Sequence, residues 1–273
     1  MSFFVFGLMS FFLKRRNSVF KRILLVTVAV FSLTTQAQVS AILIPYGDFL
    51  GTNVMYLDVT EDTRDEPNAL FGAPSILGDT LDFDPLSFAA QVSSVTGTNA
   101  SEIVDGQLNF TVMSNEDSFG IDVVRISESG DYTLAGLGNS QATASVAAPV
   151  QWSITHVDGM PLPAPVSGSG NLAFTPSGGS YALPGDIGTG VIWDGLLDVD
   201  VAGFAAANGI TGNVTKVKFA LDNTLSVAAS DGGSAGIFKK DFSGVVIGPV
   251  PEPSAFALIV PGLLSLLSFR RKR

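Results

Sequence analysis

One stretch decides the fold class of this chain: Thr215-Lys216-Val217-Lys218-Phe219-Ala220-Leu221. Thr215, Val217, Phe219 and Leu221 fall on alternate positions, and two lysines stand between them. Side chains alternate between the two faces of a sheet, so this period of two is typical of a half-buried β-strand. The stretch therefore predicts a strand with one face against a core and the other in solvent.

Short apolar runs of the same kind recur along the middle of the chain, between turns rich in Gly, Ser, Thr, Asn and Asp. We expect about ten to thirteen strands without helices between most of them, which is typical of an all-β protein. The predicted fold is an antiparallel β-sandwich of jelly-roll type. The clearest predicted strands are Val54–Val59, Leu86–Val92, Gln107–Met113, Ile121–Ile126, Tyr132–Leu137, Val146–Val157 and Phe238–Ile247.

Two segments depart from the strand pattern. Val201–Asn208 predicts one short helix, because Gly209 follows it in the position that commonly ends a helix. Asp158–Gly170 is rich in proline and glycine and predicts a long loop. We expect residues 38–248 to form one domain, with a boundary in this loop as the alternative.

The amino terminus has the order of a secretory signal. Basic residues at Lys14–Arg16 and Lys21–Arg22 precede the apolar stretch Ile23–Leu33, and Thr35-Gln36-Ala37 follows. This pattern predicts a signal peptide over residues 1–37, with a signal helix and cleavage after Ala37. The alternatives are cleavage after Ala41, translation from Met9, and retention of the segment as a membrane anchor.

The carboxyl terminus combines three features in order. Pro251-Glu252-Pro253 comes first, and its two prolines fix the backbone on either side of the glutamate. Ala255–Phe269 is apolar but shorter than the ~20 residues of a comfortable membrane helix. Arg270–Arg273 supplies four cations, which favour the cytoplasmic side of a membrane.

This tail resembles the PEP-CTERM sorting signal of exported bacterial proteins. The resemblance implies that residues 249–273 are a sorting signal, that its hydrophobic helix occupies the membrane before processing, and that exosortase recognises Pro251, Glu252 and Pro253. It implies two partners, exosortase and the general secretion machinery. It also implies export through the inner membrane of a Gram-negative bacterium to the envelope, the surface or the extracellular matrix. An ordinary tail anchor is the alternative.

The middle of the chain is similar to a group of exported PEP-CTERM proteins to which no activity is assigned. The likeness spans most of the exported region and is less specific than the tail. It rests on Pro45–Phe49, Gly78–Pro85, Ala220–Leu225 and Lys239–Phe242.

Composition excludes several classes of function. Between the two signals lie six Lys and Arg and twenty-four Asp and Glu, a formal charge of about −18. Nucleic-acid binding is excluded because no basic face is available to neutralise phosphates. The chain has no cysteine and a single histidine, His156, which excludes thiol chemistry and metal sites built from several imidazoles.

Two groups of clustered carboxylates are candidate cation sites. Asp79, Asp82 and Asp84 lie in a predicted turn, and oxygen ligands of this kind suit Ca²⁺. A second group is Asp194, Asp198 and Asp200. The alternative for both groups is a solvated surface, and no other cofactor is expected.

Three further features bear on binding or catalysis. Trp193 precedes Asp194 and Gly195 in a predicted loop and is the best candidate for stacking on a sugar ring. His156 lacks an evident serine and acid partner, so a structural role is expected. Glu61–Pro67 predicts a solvated surface turn.

The sequence as a whole predicts an exported, exosortase-processed, structural protein of the envelope or matrix, and not an enzyme. The alternatives are a carbohydrate- or Ca²⁺-binding module at the cell surface, with extracellular polysaccharide as its partner, and a secreted hydrolase.

Overall fold

Long alternating stretches build two antiparallel sheets in the computed structural model, which describes residues 42–64, 66–85, 87–116, 119–240 and 245–249. The predicted terminal helices, the cleavage position Ala37 and the motif Pro251, Glu252 and Pro253 lie outside the described residues. The described residues belong to one compact unit. Among them, no helix has the length and apolar character that a membrane span needs.

The described part of the chain contains sixteen strands, one α-helix and a short 3₁₀ turn at Ser177–Gly179. The strands are β1 (Leu43–Leu50), β2 (Val54–Asp62), β3 (Ser75–Leu77), β4 (Thr80–Phe83), β5 (Ala89–Ser93), β6 (Asn99–Ser114), β7 (Val123–Ala135), β8 (Gln141–Ala147), β9 (Pro149–Val157), β10 (Met160–Asn171), β11 (Ala173–Thr175), β12 (Ser180–Ala182), β13 (Gly188–Asp200), β14 (Val214–Ser230), β15 (Ser234–Lys239) and β16 (Val245–Pro249). The helix is α1 (Val201–Ala207).

Sheet I has the order β1-β2-β6-β14-β8-β12, with β9 and β10 attached beside β14. Its longest strand, β14, pairs with β6 along one edge. The other edge pairs with β9 as far as Leu221 and with β8 from Thr224 onward, so two shorter strands share it end to end. Asn223 lies at this break.

Sheet II has the order β11-β13-β7-β16-β4-β3, with β15 and β5 attached beside β7. It repeats the plan of sheet I. The strand β7 pairs with β13 along one edge, and β16 and β15 share its other edge. The break falls between Glu128, which pairs with Val245, and Gly130, which pairs with Lys239.

The core lies between the two sheets. Tyr132 of sheet II stacks on Tyr181 of sheet I with ring centroids 3.9 Å apart, and Tyr46 of sheet I contacts Phe83 of sheet II. The prediction of an all-β, antiparallel sandwich is therefore confirmed.

The stretch Thr215–Leu221 lies in the half-buried strand β14, as predicted. Thr215, Val217, Phe219 and Leu221 are buried, Lys218 is exposed, and the alternation continues to the end of β14. The helix prediction is also confirmed, because α1 begins at Val201 and Gly209 follows its end with a positive φ.

Other element predictions are wrong in detail. The predicted loop at Asp158–Gly170 is mostly β10, which pairs only with β9 and is therefore an edge strand. Prolines are tolerated there because an edge strand has one side without ladder hydrogen bonds. The runs Ile121–Ile126 and Tyr132–Leu137 belong to one strand, β7, instead of two.

Candidate functional site

A groove of about 470 Å³ crosses the outer face of sheet I, and we take it as the candidate site. Two adjacent rows of cross-strand neighbours form it. The first row is Thr60, Asn109, Ala220 and Gln151, and the second is Thr111, Lys218, Ser153 and Ser167. The site therefore rests on five paired strands, β2, β6, β14, β9 and β10.

The alternation of each strand explains the chemistry of the groove. Residues such as Phe110 and Phe219 point inward and stack with ring centroids 5.2 Å apart, so their polar neighbours must point outward. Asn109 and Gln151 stand on either side of the small residue Ala220, which leaves the floor low between two amide side chains. The result is an open surface of amides and hydroxyls with a single cation, Lys218.

A chain of hydrogen bonds orients Asn109. The Arg64 guanidinium donates to Gln107 Oε1 at 2.8 Å, and Gln107 Nε2 donates to Asn109 Oδ1 at 3.1 Å. Because its Oδ1 accepts this hydrogen bond, Asn109 is held with its amide at the groove. These hydrogen bonds connect the groove to a cluster of charged side chains around Arg64.

That cluster surrounds Arg64 with acidic side chains. Its guanidinium lies 3.5 Å from an oxygen of Asp222 and 3.9 Å from an oxygen of Asp105, and Thr224 Oγ1 donates to Asp105 at 2.7 Å. Burial, together with the negative charge of Asp105, raises the pKa of Asp222 above its usual range.

A smaller hollow of about 300 Å³ lies on the same face at the far end of β14. It is lined by small side chains, including Ser101, Thr143 and Ala228. The ten residues of strand from Lys218 to Ala228 span about 33 Å. The outer face of sheet I therefore offers two depressions along one strand direction.

The predicted Ca²⁺ site at Asp79, Asp82 and Asp84 does not form. The carboxylate of Asp79 accepts hydrogen bonds from Asn53 N at 2.7 Å and Asn53 Nδ2 at 2.6 Å, so it secures the turn between β1 and β2. Asp82 lies on the outer side of β4, between buried Leu81 and Phe83. Across the part of the chain that the structure describes, no three Asp, Glu or His side chains are grouped to hold a metal ion.

The second carboxylate group has structural partners. Asp198 receives two hydrogen bonds of 2.7 Å from Arg125, and these hold the pKa of Asp198 below its usual range. Asp200 caps the first turn of α1 by accepting a hydrogen bond from Gly203 N at 2.7 Å. Asp194 is exposed on β13.

The prediction of a sugar-stacking Trp193 is wrong. Trp193 lies within β13 and is 0 % exposed, so no sugar ring can reach it. Its ring lies over Gly130 of β7, where a Cβ atom would come within 2.6 Å of Cζ2. Gly130 makes room for the ring, but it lies on another strand and far from Trp193 in the sequence. The residues around Trp193 therefore gave no indication that its ring is buried.

The prediction of a solvated turn at Glu61–Pro67 is wrong for its first residues. Glu61 is 0 % exposed and accepts hydrogen bonds from the Tyr46 hydroxyl at 2.5 Å, from Leu70 N and from Phe71 N.

His156 is half-buried, and its Nδ1 lies 3.0 Å from Thr155 Oγ1, within the same strand.

Sequence reasoning did not single out the residues of the groove. Asn109, Gln151 and Lys218 all lie in stretches that were predicted as strands, and their outward positions follow from the alternation. What the sequence lacked was the register that brings them together. The signal that could have found them is the row of polar residues on the outward side of each predicted strand.

Comparisons with known proteins add little. A scan against protein-family models and a search of curated proteins each found no match. Among solved structures, the chain is similar to the crystal structure of the enzymatically active domain of bacteriophage CBA120 tailspike protein 4 (TSP4dN, orf213). The likeness covers 77% of this chain and 19% of that chain, at 11% identity and a TM-score of 0.19. A likeness this distant carries no inference about function.

Proposed function

We propose that this chain is an exported, non-catalytic β-sandwich of jelly-roll type that contacts polysaccharide at the cell surface or in the extracellular matrix. The groove on the outer face of sheet I is the observation that carries the proposal. Its volume of about 470 Å³ is within the ordinary range of ligand sites. Its amides and hydroxyls are groups that can donate and accept hydrogen bonds with sugar hydroxyls.

The charge of the chain selects the kind of polysaccharide. The region between the two signals is strongly acidic and repels polyanions. The groove itself holds one cation, Lys218, and one carboxylate, Asp58. The proposed ligand is therefore a neutral polysaccharide, recognised by hydrogen bonding on an open sheet face.

A glycan array probed with the exported form of the chain tests this part of the proposal. We expect retention on neutral glycans, lost in Gln151→Ala and kept in the matched control Gln91→Ala. Gln91 is also an exposed glutamine on a strand, but it belongs to sheet II. Equal binding by the two variants would count against the groove, and absence of binding by the native chain would count against the function.

Delivery to the surface is proposed from the two terminal signals. The general secretion machinery recognises residues 1–37, and exosortase cuts at Pro251-Glu252-Pro253, so that the protein is its substrate. Replacing Pro251 and Pro253 with alanine is expected to leave the tail uncut and the protein in the inner membrane. Peptide mapping of the carboxyl terminus in membrane and medium fractions measures this, and normal release of the variant would refute it.

A further inference from the structure

A buried ion pair lies between the two sheets, outside the groove. Lys239 of β15 and Glu128 of β7 are in salt-bridge contact, with Nζ donating to Oε2, and both side chains are 0 % exposed. The two residues are separated by 111 positions in the sequence. Fully buried charges are rare in proteins and need close partners.

Aromatic rings enclose the pair. Lys239 Nζ lies 5.3 Å from the ring centroid of Phe88 and 5.4 Å from that of Trp193. Both rings are fully buried, so they keep water away from the amine. The pair sits where the edge of β7 passes from β15 to β16, and the two side chains converge at this break.

The pocket favours a reactive amine. Burial lowers the pKa of Lys239, and Glu128 opposes that effect. A desolvated lysine with a lowered pKa is a nucleophile, because the neutral amine has a free electron pair. Within the described residues, Oε1 of Glu128 has no hydrogen-bond partner, so this carboxylate has capacity to accept a proton.

A third polar side chain faces inward from the opposite sheet. Asn223 of β14 is 0 % exposed, and neither Oδ1 nor Nδ2 has a hydrogen-bond partner in the described chain. Buried amides are almost always paired, so this one calls for an explanation. Asn223 lies at the break in the edge of β14, and Glu128 lies next to the corresponding break in the edge of β7.

One aromatic ring connects Asn223 to the ion pair. Gly106 is the cross-strand neighbour of Asn223 on β6, and a Cβ at Gly106 would lie 3.7 Å from Phe88 Cε1. The same Phe88 ring is next to Lys239 Nζ. The strand pair that carries Asn223 and the amine of Lys239 therefore both approach the same buried ring.

We propose that Lys239 forms an intramolecular amide cross-link with Asn223 and that Glu128 transfers the protons. Nζ first gives a proton to the carboxylate of Glu128, which leaves a neutral amine. The amine attacks Cγ of Asn223, Glu128 delivers its proton to Nδ2, the bond from Cγ to Nδ2 breaks, and ammonia leaves. Glu128 then takes the remaining extra proton from the new amide nitrogen. The product is a secondary amide between Nζ and Cγ, and no oxidant or other reactant is needed.

The cross-link joins β14 of sheet I to β15 of sheet II. The chain has no cysteine, so it cannot use disulfides outside the cell. A covalent bond between the sheets gives an exported protein the same kind of constraint on its unfolded state that a disulfide gives.

Mass spectrometry of the denatured full chain tests the proposal directly. We expect a mass lower than that of the sequence by one ammonia molecule. Cleavage before aspartate separates the three groups, since residues 122–130 contain Glu128, residues 222–230 contain Asn223 and residues 231–240 contain Lys239. The expected product is segment 222–230 joined to segment 231–240.

Three variants sharpen the result. Glu128→Gln is expected to remove the cross-link, Asn223→Asp to form it with loss of water, and the control Lys240→Arg to keep it. An unchanged mass of the native chain would overturn the proposal. Loss of water with segment 122–130 attached to Lys239 would overturn it too, because Glu128 would then be the acyl donor. These two measurements need only the native chain, so a variant that fails to fold does not obscure the answer.

Discussion

Sheet I and sheet II share one plan, but they differ in how they use polar side chains. In each sheet, a long strand has an edge that two shorter strands share. Sheet I carries its amides and hydroxyls on the outer face, and its buried Glu61 is held by a tyrosine hydroxyl and two backbone N–H groups. Sheet II carries a buried lysine, which is paired with buried Glu128.

This difference separates two roles for polar groups. Neutral donors supply the hydrogen bonds that the buried Glu61 carboxylate needs, so Glu61 has a structural role. Glu128 has a charged partner, and one of its oxygens has no hydrogen bond among the described residues. Its hydrogen bonding is therefore less complete than that of Glu61. The outer face of sheet I, by contrast, can exchange its hydrogen bonds with water or with a ligand.

Loss of the buried lysine should give the largest effect on stability. Lys239→Met removes both the partner of Glu128 and the amine of the proposed cross-link, and removal of one member of a buried pair alone typically costs about 3–5 kcal/mol. Urea unfolding of the native chain and of the variant measures the free energy of unfolding. The control is Arg125→Met, because Arg125 and its partner Asp198 are 47 % and 42 % exposed, and loss of an exposed pair should matter far less. Similar losses in the two variants would remove the contrast between the pocket and the surface.

Loss of Glu61 should be the next largest effect. Glu61→Ala leaves the Tyr46 hydroxyl and the N–H groups of Leu70 and Phe71 without their acceptor, at a cost of about 1–3 kcal/mol for each buried group that finds no water. We expect a total near the lower end for the three groups, about 3 kcal/mol. Tyr46→Phe removes a single hydrogen bond and should cost about 1 kcal/mol. If Glu61→Ala is as stable as the native chain, Glu61 does not have this structural role.

The tyrosines should resist alkaline titration as long as the sandwich is folded. Burial raises the pKa of all four, Tyr46, Tyr56, Tyr132 and Tyr181, above the usual value. Such groups favour the fold below about pH 10, the pKa in the unfolded chain, and this contribution is lost as the pH rises further. Phenolate absorbance should therefore appear together with unfolding. Gradual ionisation near pH 10 in the folded protein would show that the core between the sheets is open to water.

The smallest expected effect is at the charged cluster beside the groove. Burial and the negative charge of Asp105 raise the pKa of Asp222, so the fold disfavours its charged form. Asp222→Asn should increase stability by at most about 1 kcal/mol, because the side chain is 40 % exposed. The gain should be present at neutral pH and disappear below about pH 4, where the native carboxyl is protonated. A loss of stability at neutral pH would mean that the contact with Arg64 outweighs the repulsion.

Alternation in the sequence was enough to predict the strands and the class of fold. In β14, most residues at alternate positions are apolar, and these residues are the ones that pack in the core. The prolines of β10 misled the prediction, because an edge strand tolerates them and edge position is a property of the sheet. Trp193 misled it for a similar reason, since its burial depends on Gly130 of another strand.

The candidate site could not be predicted from the sequence, because it also depends on contacts between strands that are distant in the sequence. Asn109 and Gln151 belong to strands that meet only through β14, and the register of two ladders decides that they face each other across Ala220. Glu61 looked like part of a charged turn, because the groups that hold it come from positions 46, 70 and 71.

Affinity electrophoresis in gels containing a neutral polysaccharide tests the central claim, that the outer face of sheet I is the binding surface. The account predicts that the native chain is retarded, that the double variant Asn109→Ala/Gln151→Ala is not, and that both unfold at the same urea concentration. If the double variant is retarded as strongly as the native chain, the account is contradicted.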